Sequence, residues 1–184
     1  MESKVWMSLF IVFIMVVSVL GVALNYTTSD PSTQSEFKGH EFNQINGQWI
    51  GYKDDEKITI STEPTYLELI QVPDISFPDL NTGKIYFTTN PQDNIPYNAL
   101  LDIQNNLVPK LNSLAIACTQ DTPGCETLPL KTCSDASPTN PVIQLEVSDT
   151  PTITFNNNCL LIQAPSNSFI MYTDALILQL YGLE

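Results

Sequence analysis

Residues 84–118 read KIYFTTNPQDNIPYNALLDIQNNLVPKLNSLAIAC, and this stretch decides the fold class. Its first part, Ile85 to Thr88, is a β-branched and aromatic run that ends before an Asn-Pro pair, which predicts a strand. Apolar residues then recur at three- and four-residue spacing, which predicts an amphipathic helix from Pro96 or Tyr97 to Asn112. Pro109 is expected to bend or end this helix.

The apolar run from Leu114 to Cys118 predicts a second strand directly after that helix. Two strands joined by a helix are normally parallel, with a right-handed crossover. The sequence therefore predicts an α/β class, more closely an α+β fold with a mixed sheet, beginning at about residue 84.

Upstream of residue 84 the sequence predicts a β-hairpin and a short helix. A charged turn at residues 53–56 separates the apolar positions of residues 42–52 from the alternating Ile58 and Ile60, which is typical of an antiparallel hairpin. Thr62 is a suitable helix cap and Pro64 suits an early helical position, so residues 62–70 are predicted as a helix. Residues 72–82 are predicted to be a connection.

Downstream of Cys118 the pattern returns to strands and ends in a helix. Residues 119–141 are dense in Pro, Thr, Asp and Cys and predict a loop; residues 142–147 and 152–155 then predict an antiparallel strand pair. Three asparagines at 156–158 either bend the second strand or separate it from the apolar run that begins at Cys159. The last helix is expected over residues 168–180, with Gly182 just beyond its end.

The N-terminal segment is long and apolar enough to be a membrane span. Residues 5–24, VWMSLFIVFIMVVSVLGVAL, contain no charge, and about 20 apolar residues cross a bilayer as a helix. Lys4 precedes the segment, which favours a cytoplasmic tip at residues 1–4 and a C-terminal domain outside the cell. The alternative is a signal peptide cleaved near Ala23, but the apolar run exceeds the usual length of such peptides. We therefore predict a single-pass anchor in the lipid bilayer.

The residues after the span divide into a stalk and one domain. Residues 25–40 are polar and rich in Ser and Thr, a composition that cannot bury a core, so they predict a flexible stalk. Residues 41–184 have the length of one domain with a single core.

The charge composition argues against nucleic-acid and phosphate partners. The formal net charge is −13, from twenty carboxylates against seven lysines, with no arginine. Nucleic-acid and phosphate recognition depends on cationic patches and on guanidinium contacts, so neither partner is expected.

All four cysteines, Cys118, Cys125, Cys133 and Cys159, follow the predicted span, and two disulfides are the default in an oxidising compartment. Three pairings are open from the sequence alone. We favour Cys118 with Cys125, which closes a short loop beside Pro123-Gly124, and Cys133 with Cys159, which ties the loop to a core strand. The intervals do not fit a zinc site, which needs closely spaced pairs.

No catalytic or metal-binding motif is found. His40 is the only histidine and lies at the predicted stalk junction, so a triad built on it is not expected. Asp54, Asp55 and Glu56 are interpreted as a solvated turn without the pattern of a calcium loop, and Asp174 is expected to have a structural role. We predict no catalytic residue, no metal and no cofactor.

The element order from residue 84 resembles the thioredoxin fold, with its second helix replaced by the cysteine-bearing loop. Asn140-Pro141, just ahead of the strand at residue 142, carries the likeness, and the resemblance implies a cis-proline at Pro141. The segment after the first strand, residues 89–94, has no Cys-x-x-Cys, so the resemblance implies a redox-inactive domain. The whole arrangement also resembles small uncharacterised membrane-anchored archaeal proteins.

These observations predict a membrane-tethered extracytoplasmic binding or scaffold module, without enzymatic activity, whose partner is another envelope protein. Two alternatives stay open. One is an envelope thiol-disulfide exchange protein using Cys118 and Cys125, and the other is a structural cell-surface subunit.

Overall fold

The structure is a computed structural model that describes residues 33–183. Its strands are β1 (Gln34–Phe37), β2 (His40–Ile45), β3 (Gln48–Lys53), β4 (Glu56–Ile60), β5 (Ile85–Thr89), β6 (Leu114–Cys118), β7 (Val142–Val147), β8 (Thr152–Asn156) and β9 (Cys159–Ala164). Its α-helices are α1 (Phe77–Leu80), α2 (Tyr97–Asn106) and α3 (Phe169–Leu180), and short 3₁₀ helices cover Pro64–Leu67, Val108–Lys110 and Cys133–Asp135.

The predicted membrane span at residues 5–24 lies outside the described residues, as do the tip and residues 25–32 of the stalk. None of the helices within residues 33–183 has the length and hydropathy of a bilayer-crossing segment.

Sheet 1 is an antiparallel meander of β1 to β4 in chain order. Its turns use left-handed residues, and the β3–β4 turn at Asp54 and Asp55 has positive φ at both positions. The hairpin predicted there is confirmed. Gly51 in β3 has a packing reason, because a Cβ at this position would lie 2.6 Å from the ring of Phe42.

Sheet 2 has the strand order β6-β5-β7-β9-β8. The strands β6, β5, β7 and β9 run parallel to one another. The edge strand β8 is antiparallel to its neighbour β9. The parallel pairing of β5 with β6 and the helix between them confirm the α+β mixed-sheet prediction.

The helices α2 and α3 lie side by side between the two sheets. One side of α3 packs on β8 and β9, and another packs on β4 and the Pro64–Leu67 turn. The residues of α3 are apolar on nearly every side because a helix that is covered on opposite sides has no solvent-exposed face. Phe169 and Leu176 are fully buried in the core that the layers share.

The stalk prediction was wrong for residues 34–40. Residues 34–37 form β1, which pairs with β2, and the ring of Phe37 is buried. A polar strand needs only backbone hydrogen bonds and one anchoring side chain to join a sheet edge, and composition does not reveal this.

Two helix predictions also need correction. The segment 62–70 forms only the 3₁₀ turn Pro64–Leu67, and the predicted connection at residues 72–82 contains the short helix α1. Ser76 and Asp79 form a capping box that starts α1. The bonds from Ser76 Oγ and N hold the pKa of the Asp79 carboxyl below its ordinary range.

The strands β7 and β8 run antiparallel to each other, as predicted, but they are not neighbours in the sheet. The asparagine turn at residues 156–158 reverses the chain, and β9 then inserts between β7 and β8. A tight turn lets β9 fold back on β8, and the alternating apolar side chains of β9 are buried best at an interior position.

The predicted cis peptide bond at Pro141 was also wrong, since the described chain contains only trans peptide bonds. Asn140 closes a turn with Ser137, and the chain then enters β7 directly, with the Pro141 carbonyl accepting from Tyr86 N at 2.9 Å. The backbone that leads into β7 is extended, and nothing there opposes the ordinary preference of an X-Pro peptide bond for the trans form.

Asn106 joins the helix layer to sheet 1 and provides a test of the layering. Its side chain accepts from Thr59 N at 3.0 Å and donates to Thr59 O at 2.7 Å, in the place where a further strand would pair. We expect Asn106→Ala to lower the free energy of unfolding by about 1–3 kcal/mol, because both groups of Thr59 are left unsatisfied. Urea unfolding measures the change.

The matched control for this prediction is Asn105→Ala, one position earlier on the same helix and exposed. It should change stability by less than about 0.5 kcal/mol. Equal effects of the two substitutions would contradict the role given to Asn106.

Candidate functional site

The cysteine-bearing loop lies on the face of sheet 2 opposite the helices. Alternate residues of a strand point to opposite faces, so Phe87 faces the helices while Thr88 faces the loop. Thr88 Oγ1 donates to the Lys131 carbonyl at 2.8 Å, and Cys133 N donates to Gln144 Oε1 at 2.9 Å. The loop therefore covers this face in place of a helix.

The predicted cysteine pairing is confirmed. Cys118 pairs with Cys125, with Cα atoms 6.0 Å apart, and Cys133 pairs with Cys159, with Cα atoms 5.3 Å apart. No free cysteine is present in the described chain. Both partners of the first bridge are buried, so the loop hides the sulfur atoms that an exchange reaction would need to reach.

The loop is also ordered by its own polar contacts. Thr132 caps the turn at residues 133–135 by donating from its N and Oγ1 to Asp135 Oδ2, at 2.8 and 3.1 Å. These bonds hold the pKa of the Asp135 carboxyl below its ordinary range.

A polar pocket of about 340 Å³ lies where β5, β6 and β7 end. The connections from β5 and from β7 leave in opposite directions, and this is where open parallel sheets usually bind ligands. Asp93 is held there by Val147 N at 3.2 Å, and Gln144 donates to Glu146 at 3.3 Å. The predicted polar, cysteine-free segment at residues 89–94 therefore borders a pocket.

An apolar groove of about 390 Å³ lies between sheet 2 and the segment from α2 to residue 111. Leu100, Ile103 and Leu107 form its helical wall, and Phe87 and Ile116 belong to its sheet side. Ile116 is 53% exposed, so the groove is open to solvent.

The groove is bordered by the edge strand β6. Ser113 O and Thr119 N bond to β5, so the alternate residues Leu114 and Ile116 direct their backbone groups to the free side. At the end of the strand this side is occupied by the loop, since Cys118 N donates to Pro129 O at 3.0 Å. Within the described residues, the N–H and C=O groups of Leu114 and Ile116 have no partner.

A buried aspartate pair lies between the helix layer and sheet 1. Ser61 N donates to Asp102 Oδ2 at 3.1 Å and to Asp174 Oδ2 at 3.2 Å, and Thr62 N donates to Asp174 Oδ2 at 2.8 Å. Neither aspartate has any exposed surface. The structural role expected for Asp174 agrees with these bonds, whereas its partner Asp102 was not singled out by the sequence.

Burial raises the pKa of both carboxyls. For Asp174 the pKa lies well above the ordinary value, because burial is reinforced by the charge of Asp102, and the bonds from Thr62 only partly oppose this. For Asp102, burial outweighs the bonds from Ser61 and Asp174. The sequence signal that could have found Asp102 is a charged residue on the apolar stripe of a predicted helix.

The remaining residues named from the sequence do not form a site. His40 begins β2, and Asp54, Asp55 and Glu56 belong to the β3–β4 turn and the start of β4. The Glu56 carboxylate forms an ion pair with Lys110. The part of the chain that the structure describes contains no group of acidic, histidine or cysteine side chains arranged to hold a metal ion.

Comparison with known proteins found no match. No protein-family model matches the chain, and neither a curated protein nor a solved structure matches it at a significant level.

The bridge from Cys133 to Cys159 should account for a large part of the stability of the domain. We expect Cys133→Ala to lower the free energy of unfolding by about 2–5 kcal/mol, the usual loss for a native bridge in a small secreted domain. Urea unfolding without reductant checks this.

The double variant Cys133→Ala/Cys159→Ala is the control, because it lacks the bridge and leaves no unpaired thiol. It should lose a similar amount. A wild-type midpoint in both variants would show that the bridge does not hold the loop on sheet 2.

Proposed function

We propose that the domain is a non-enzymatic, membrane-tethered extracytoplasmic binding module that docks an extended segment of another envelope protein on β6. The observation that carries the proposal is the set of unpaired backbone groups of Leu114 and Ile116 beside the apolar groove. An added strand pairs with such groups, while alternate side chains enter a neighbouring pocket and give specificity.

The chemistry of the edge supports an extended apolar segment as the occupant. Soluble proteins usually protect an edge strand with charge, proline or a bulge. Residues 111–118, LNSLAIAC, contain none of the charged residues or prolines that would do so, in a chain with a net charge of −13. The loop already adds one bridge to this edge at Cys118, in parallel orientation with Leu130, so the edge accepts strand-like partners.

Two features of the chain support the proposed location. Two disulfides support an oxidising compartment, and the apolar segment at residues 5–24 supports a bilayer anchor. Thiol exchange through Cys118 and Cys125 is less well supported, because both residues are buried. The thioredoxin-like element order stays a prediction, and the proposal does not depend on it.

Site-specific cross-linking tests the docking surface. A photo-reactive residue at Val108, which lines the groove and is 39% exposed, should give one discrete adduct in native membranes. Ile116→Pro should abolish this adduct, because the ring occupies the free edge where a partner would pair. The substitution itself should be tolerated, since an edge strand accepts proline where its N–H faces solvent.

The control is the same photo-reactive residue at Leu69, which is 92% exposed but lies away from β6. It should not give the adduct seen at Val108. An adduct that persists in Ile116→Pro, or one that has twice the mass of the chain, would contradict docking of a different protein on this edge.

Protease accessibility tests the predicted topology. If positive charge before the span sets the orientation, protease added to intact cells should remove residues 42–184. Lysed cells provide the control for cleavage. A domain that is digested only after lysis would contradict the external location.

A further inference from the structure

We propose that Asp102 and Asp174 share one proton and form an acid-operated latch. While the proton is present, the pair holds the end of β4, and with it sheet 1, on the helix layer. When the pH rises and the proton is lost, two adjacent negative charges weaken this junction. The inference is independent of the docking function proposed above.

The first support is the geometry of hydrogen bonding. Ser61 N donates to both carboxyls, so the two groups lie against each other at one backbone amide. Their Oδ2 atoms are engaged by this amide and by Thr62 N, whereas both Oδ1 atoms are buried without a hydrogen-bond donor. One proton between them therefore satisfies acceptors that otherwise stay unpaired.

The second support is the lack of a compensating cation among the described elements that surround the pair. Asp102 and Asp174 are the only charged residues on α2 and α3, and β8 and β9 carry none. The helices α2 and α3 also carry the titratable Tyr97 and Tyr172. The charged and titratable groups on the neighbouring segments are Glu56, Lys57, Glu63, Tyr66, Lys110 and Tyr181. None of these contributes to the pKa of either aspartate, and Lys110 is paired with Glu56.

The third support is a route for the proton. A polar cleft of about 360 Å³ reaches Asp102, with Ser61 also in its wall and the amide side chains of Asn46, Gln48 and Asn98 around it. Water in such a cleft exchanges protons with the carboxyls while the domain stays folded. The latch can therefore follow the pH of the medium.

The direction of the response follows from proton linkage. Burial raises the pKa of both carboxyls in the folded state, so folding takes up a proton at pH values between the ordinary and the raised pKa. The stabilisation is complete below the ordinary pKa of aspartate and is lost as the pH rises through the raised pKa. Within that window the folding equilibrium constant should fall by up to about tenfold per pH unit for one proton.

Asp174→Asn tests the latch in the full chain. The asparagine oxygen still accepts from Ser61 and Thr62, and its N–H replaces the shared proton toward Asp102 but does not titrate. Urea unfolding across the pH range should show the alkaline loss in the wild type and a much flatter profile in Asp174→Asn. Hydrogen exchange of the Ser61 and Thr62 amides should accelerate with pH beyond the intrinsic rate in the wild type only.

The control is Asp149→Asn, which changes the net charge equally but lies in the exposed turn between β7 and β8. It should keep the wild-type pH profile, which separates the latch from the general repulsion of an acidic chain. If Asp174→Asn and Asp149→Asn both keep the wild-type profile, the proposal is overturned.

A measurement on the wild type decides the question if Asp174→Asn does not fold. The ¹³C shifts of the two carboxyls should titrate together as a pair, with the second proton lost well above the ordinary range. Independent titration of both groups as ordinary aspartates would overturn the proposal.

Discussion

The architecture depends on how the end of β4 satisfies its backbone. β4 is an edge strand of sheet 1, and the backbone groups on its unpaired side face the helix layer rather than another strand. Asn106 bonds both groups of Thr59, and the aspartate pair takes the amides that follow at Ser61 and Thr62. Three side chains from two helices thus make the hydrogen bonds that a neighbouring strand would otherwise make. They are needed because buried backbone groups require hydrogen-bond partners.

This constraint fixes the order of the layers. Polar side chains on α2 and α3 direct one side of each helix to sheet 1, and the apolar stripe of α2 is left for sheet 2. Where that stripe extends past the edge of sheet 2, the apolar groove opens beside β6. The groove is therefore a consequence of the position of the helices, and the unpaired backbone groups of Leu114 and Ile116 lie beside it.

The two faces of sheet 2 are covered by different kinds of structure. Helices cover one face through apolar packing, and the disulfide-bonded loop covers the other through backbone and glutamine contacts. The two bridges add to the stability that core packing supplies, since they restrict the unfolded chain. The loop also closes part of the free edge at Cys118 and leaves only residues 114–117 open.

Local elements could be read from the sequence with good accuracy. The strand, helix and strand of residues 85–118, the β3–β4 hairpin and the final helix follow from side-chain periodicity and turn residues, which act over a few positions. Gly182 ends the final helix with positive φ, as expected for its position. The favoured disulfide pairing, one of three that the sequence left open, is the one found: one bridge closes a short loop and the other ties the remaining cysteine to a strand.

Only the tertiary structure decided how these elements meet. The insertion of β9 between β7 and β8 and the recruitment of β1 depend on partners elsewhere in the fold. The aspartate pair is the clearest case, since Asp102 and Asp174 lie 72 positions apart (174 − 102) and each is unremarkable by itself. The pKa values of the two carboxyls are raised because folding buries both beside the same backbone amide. No local sequence pattern predicts that contact.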